Sequence, residues 1–99
     1  QIEIDMTFEN NGTITVFEAK NWVRNRNDFA VYQLYHPFLH YYMLMNNGDI
    51  NVESVNCCYA VRQVSKEGVR IMIYLYTFDN PFNMTSIRLI RSKSYLLVE

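Results

Sequence analysis

"IEIDMTFENNGTITVFEAK", residues 2–20, decides the fold. Two runs alternate apolar and polar residues on either side of Asn11-Gly12. In the first, Ile2, Ile4, Met6 and Phe8 interleave with Glu3, Asp5, Thr7 and Glu9, the period-two pattern of a strand with one apolar and one polar face. Asn-Gly suits a type I′ turn, which needs positive φ at both central residues, so the two runs are expected to fold back on each other as a hairpin. Asn10 then faces Thr13, Asp5 faces Glu18, and Glu3 faces Lys20. Strand alternation puts these four charges on one side. Ile4 with Ala19, Met6 with Phe17 and Phe8 with Thr15 fall on the other, which is expected to be the core side. A three-residue turn with a bulge would slip this register by one.

Beyond the hairpin, "NWVRNRND" (residues 21–28) reads as a loop, with Asp28 as the N-cap of a helix over about 28–45. Val31, Leu34, Phe38, Tyr42 and Met45 recur at steps of three and four, a stripe for packing on a sheet. Pro37 is expected to kink or split this helix, and Asn47-Gly48 to end it. Residues 54–64 and 69–78 read as strands around "SKEG". The second, "VRIMIYLYTF", is apolar at nearly every position, as expected where both faces are covered. Residues 86–98 form a last strand or a pair of short ones. The order predicts an α+β fold, a mixed β-sheet with an antiparallel hairpin, a crossover helix and further strands, in which the strand after the helix can lie parallel.

The chain has 99 residues, 49% hydrophobic and 15% aromatic, which suits one ordered domain over residues 1–99 with a single core. It opens at Gln1 inside a strand pattern, so a fragment of something longer is expected. A net charge of −1 gives no general attraction to polyanions, so any nucleic-acid contact must come from a local patch of Arg and Lys. Adjacent Cys57 and Cys58 on a strand would point to opposite faces and could not bridge, which suits a reducing compartment. With no apolar run of the ~20 residues that cross a bilayer and no secretory leader, no membrane partner and a cytoplasmic location are expected.

Facing carboxylates have Cβ atoms ~4.5–5.5 Å apart and repel, which destabilises a sheet unless something offsets the charge. A divalent cation would do so, and Mg²⁺ accepts one or two carboxylates while leaving room for phosphate and water. Lys20, on the same face as Glu18, could orient an attacking water and neutralise charge on a phosphate. Asp5, followed after a hairpin by Glu18-Ala19-Lys20, resembles the P-D-(D/E)-x-K nuclease superfamily, to which many restriction endonucleases belong. Ile4 stands where that family has Pro. The resemblance covers about residues 1–64. It implies a restriction-endonuclease-like core, Mg²⁺ held by Asp5, Glu18 and the backbone carbonyl of Ala19, catalysis by Asp5, Glu18 and Lys20, and a polar residue brought by the following helix, for which Gln33 is the candidate. The family's core normally has a helix and a strand before the motif.

On this reading, Asn21, Arg24, Asn25, Arg26 and Asn27 clamp phosphates or reach base edges. The expected function is a Mg²⁺-dependent DNA endonuclease acting on double-stranded DNA, of the type II restriction kind or the catalytic core of one. Cutting both strands and an apolar, aromatic-rich surface favour a homodimer. Two alternatives stand beside it. One is a non-enzymatic mixed-sheet interaction module, whose Glu3, Asp5, Glu18 and Lys20 form a solvated face with ion pairs worth ~0–1 kcal/mol. The other is a nuclease-like repair or junction-resolving protein. Gln33, His36 and His40 are expected on one side of the helix, away from the apolar stripe. His36 and His40 have the spacing of a zinc pair but lack a third ligand, so a structural role is expected for both. Tyr41, Tyr42, Tyr74 and Tyr76 could stack on bases, though core packing is the simpler reading, and Cys57 and Cys58 read as ordinary thiols.

Overall fold

The computed structural model describes residues 3–21 and 31–97, with only the backbone of residues 3–6 and 8. Strands β1 (Glu3–Asn10) and β2 (Thr13–Asn21) precede the helix α1 (Val31–Asn46). Then come β3 (Ser54–Ser65), β4 (Gly68–Phe78), a 3-10 turn (Met84–Ser86) and β5 (Ile87–Leu97). The strands form one sheet in the order β1-β2-β3-β4-β5. β2 and β3 run parallel, and the other neighbours are antiparallel, so the sheet is mixed and the fold α+β.

Asn11 and Gly12 both take positive φ, 52° and 82°, as a two-residue turn of this type requires. The register follows: Asn10 pairs with Thr13, Asp5 with Glu18 and Glu3 with Lys20. The turn also anchors the next strand, because the Gly12 carbonyl accepts from Glu53 N at 2.6 Å and Ser54 N at 3.3 Å. A Cβ at Gly12 would lie 3.6 Å from Glu53 Cγ, an ordinary contact, so the cost of adding one is conformational. Gly12→Ala should therefore lower stability by about 1 kcal/mol and the melting temperature by about 4–8 °C. An unchanged melting temperature would show that the turn relaxes to another type.

At its C-terminus α1 closes through Gly48, φ 80°, with Gly48 N donating to Met45 O and Asp49 N to Leu44 O. This is the glycine-ended Schellman stop that Asn47-Gly48 suggests. Pro37 does not split the helix, which runs unbroken through it. Leu34 and Tyr35 before Pro37 and Phe38 after it are all buried on the sheet, so packing holds both halves despite the lost hydrogen bond. Asp28, the expected N-cap, lies outside the described residues.

The helix covers one face only. Leu34, Tyr35 and Phe38 pack on Ile14, Val16, Val55, Cys57, Tyr59, Val61 and Phe78. The buried side of β2 is thus that of Ile14, Val16, Glu18 and Lys20, while Thr15, Phe17 and Ala19 are half-buried on the other. This reverses the expected core side. The alternation of β1 shows its own apolar side, but β1 is an edge strand and the helix lies over β2 and β3, whose common side carries the apolar floor. For the same reason β4 is not covered on both faces, and all its residues except Phe78 are half-buried. β5 is one strand, not two. Leu75 pairs with Arg91 and Tyr76 with Leu89, leaving Ile90 as a bulge. Among the described residues no helix is long and apolar enough to cross a membrane.

Candidate active site beneath the helix

Glu18 and Lys20, two apart on β2, turn their side chains to the covered face and are only 4% and 6% exposed. The Lys20 ammonium donates to Gln33 Oε1 at 2.7 Å and lies 4.0 Å from Glu18 Oε1. Toward β3, Glu18 is in register with Tyr59 and Lys20 with Val61, both buried. Toward β1, the backbone register sets Asp5 beside Glu18 and Glu3 beside Lys20. The side chains of Asp5 and Glu3 lie outside the described residues.

Removing an ion from water costs several kcal/mol, so a buried ammonium and carboxylate persist only with partners of good geometry. Here the amide oxygen of Gln33 and the carboxylate of Glu18 both face the Lys20 ammonium. For Glu18 and Lys20 a solvated polar face with weak surface pairs is therefore overturned, because both side chains lie under the helix. In such a dry site each charge acts more strongly than it would in water.

Gln33 reaches the cluster from the first described turn of α1, as the resemblance implies. It does not share its surroundings with the two histidines. His36 and His40 are exposed, His36 tilted against Tyr32 and Tyr35 and His40 edge-on to Tyr41, whereas Gln33 is half-buried over Lys20. Ala19 sits between the two charged residues and faces the opposite side. Asn21 also falls on that side, where its Oδ1 accepts from Arg62 Nη1 at 3.4 Å. It is thus turned away from Lys20. Arg24, Asn25, Arg26 and Asn27 lie outside the described residues.

Tyr59 is the residue at the cluster that sequence reasoning missed. Its signal was present in the alternation Val55, Cys57, Tyr59, Val61, once β3 is laid parallel to β2. Cys57 is fully buried with Sγ 3.9 Å from Leu34 O. Burial, with a smaller push from Cys58, raises its thiol to about 12. Burial raises Cys58 as well, so both free thiols stay protonated at neutral pH and are poor nucleophiles. Tyr74 and Tyr76 stack with centroids 6.3 Å apart and pack against the core. Burial, then Tyr74, raises the Tyr76 hydroxyl.

No curated protein matches this chain, and no solved structure does. Residues 1–96 match a domain of unknown function, DUF6997, and the chain belongs to that family.

Proposed function

We propose that this member of the DUF6997 family is a Mg²⁺-dependent DNA endonuclease with a restriction-endonuclease-like core. The observation that carries the reading is the Lys20 ammonium, 2.7 Å from Gln33 and 4.0 Å from Glu18 on a strand whose register sets Asp5 beside Glu18. The succession of hairpin, crossover helix and parallel strand supports it, being the order that the resemblance implies.

The donor set suits the ion: Asp5, Glu18 and the carbonyl of Ala19 would hold Mg²⁺ through oxygen, the ligand type it prefers. When bound, it offsets the carboxylate repulsion and stabilises charge growing on the phosphate. Gln33 fixes the Lys20 ammonium, which orients the attacking water by a hydrogen bond. The water gives one proton to solvent as its oxygen bonds to phosphorus, one P–O ester bond breaks, and the departing alkoxide takes a proton from solvent. Arg24, Asn25, Arg26 and Asn27 follow β2 in the sequence and would contact the DNA backbone, while Asn21 faces away from Lys20. Two copies of the chain would cut the two strands.

Duplex DNA incubated with the purified chain should be cleaved only with Mg²⁺, and its binding should weaken steeply with salt. Cleavage indifferent to chelator, or no binding at low ionic strength, would contradict the reading. A second reading is favoured by one observation, the burial of Glu18 and Lys20. In a non-enzymatic module the pair would only fix the seat of the helix. Such a module should bind no divalent ion at this site. A repair or junction-resolving nuclease would share the chemistry and prefer branched DNA.

A further inference from the structure

On the face opposite α1, the register brings three rows of side chains together across the strands. Ala19, Ala60, Ile73 and Lys93 form one, flanked by a second with Phe17, Cys58, Leu75 and Arg91 and a third with Asn21, Arg62, Ile71 and Tyr95. Ala19 and Ala60, between Phe17 on one side and Asn21 and Arg62 on the other, make a trough, and Ile71, Ile73 and Leu75 of β4 make its apolar wall. A cavity of 360 Å³ opens over Ala19, Ala60 and Ile71, and a second of 210 Å³ over Cys58, Ile73 and Leu75. No described helix or strand lies over this face. Yet Ile71, Ile73 and Leu75 belong to the residue types most often buried.

The unpaired charge at the margins of the face is positive. Arg62, Arg91 and Lys93 stand at its margins, all exposed, and Arg88 is already paired with Asp79 at 2.9 Å. Glu9 and Glu18, the strand carboxylates whose side chains are described, belong by alternation to the helix-covered side. A second copy docked face to face would bring the same three cations, Arg62, Arg91 and Lys93, to the contact. We propose that the open face is a docking site for an acidic amphipathic helix, its apolar stripe in the trough of Ala19 and Ala60 and its carboxylates against Arg62, Arg91 and Lys93. A trough floored by alanines admits the close approach of a helix, and an apolar groove with charged margins is the usual seat for such a ligand. The inference does not depend on DNA cleavage, because the site lies on the other face.

The test titrates the chain with two synthetic amphipathic helices of about 18 residues that share one leucine stripe. One is flanked by Glu and the other by Lys. The Glu peptide should bind and the Lys peptide should bind about tenfold more weakly or not at all at low salt. In the double variant Arg91→Glu, Lys93→Glu, on an exposed strand where folding is little affected, the preference should reverse. Ala60→Trp, which fills the trough, should abolish binding of both. Equal binding of the two peptides, or binding of neither, would overturn the proposal. So would self-association that Ala60→Trp abolishes, which would make a second copy the occupant, and so would binding only to vesicles of anionic lipid.

Discussion

Lys20→Ala is expected to lower Mg²⁺-dependent DNA cleavage by about 10²- to 10³-fold while leaving the ion bound, because the proposed mechanism uses the ammonium as a preorganised electrostatic partner and not as a ligand. The same change should destabilise the fold. Glu18, 4% exposed in the wild type, would lose the ammonium 4.0 Å away, and breaking a buried pair costs about 3–5 kcal/mol. The melting temperature should fall by about 10 °C or more. Mg²⁺ should restore part of that loss without restoring activity, since the ion can compensate the carboxylates but cannot replace the donor held by Gln33. Single-turnover cleavage and melting of the same preparation would check both parts. Wild-type cleavage by the folded variant would remove Lys20 from the mechanism.

Phe38→Ala should cost about 3–5 kcal/mol, enough to unfold a marginal domain of this size. Phe38 is 2% exposed and its ring meets Phe78 at 4.8 Å, Tyr42 at 6.0 Å and Tyr35 at 6.4 Å. It is the buried side chain immediately after Pro37, where the helix lacks a backbone hydrogen bond and depends on packing. Loss of this anchor should also loosen Gln33 over Lys20. Denaturant midpoints at constant slope would give the cost. A loss below about 1 kcal/mol would mean that the aromatic cluster repacks around the gap.

The hairpin, its register and the parallel return of β3 were legible because short-range rules fix them. Asn11-Gly12 sets the turn, the turn sets the pairing, and a helix between strands sets the crossover. Which face of the hairpin becomes the core was not legible. The alternation of β1 marks Ile4, Met6 and Phe8 as apolar, but the face that α1 covers depends on Val55, Cys57, Tyr59 and Val61 of β3, far along the chain. That tertiary choice moved Glu18 and Lys20 from the side opposite the expected core to a buried place beneath the helix. The same choice brought Gln33 onto Lys20 and left His36 and His40 outside, although all three were expected on one side of the helix. Pro37 misled in a similar way, since the local penalty at that position is outweighed by burial of Leu34, Tyr35 and Phe38.

A Mg²⁺ site on the hairpin is tested most directly by melting wild type and Asp5→Asn in parallel, each with Mg²⁺ and with chelator. Binding to the folded state alone stabilises it by an amount that grows with the ratio of free ion to dissociation constant, reaching about 2.7 kcal/mol at a hundredfold excess. Wild type should therefore melt higher in Mg²⁺, and Asp5→Asn, lacking one of two facing ligands, should show little or no gain. If both proteins gain the same stability from the ion, or neither gains any, Asp5 and Glu18 hold no metal and the pair beneath the helix is structural.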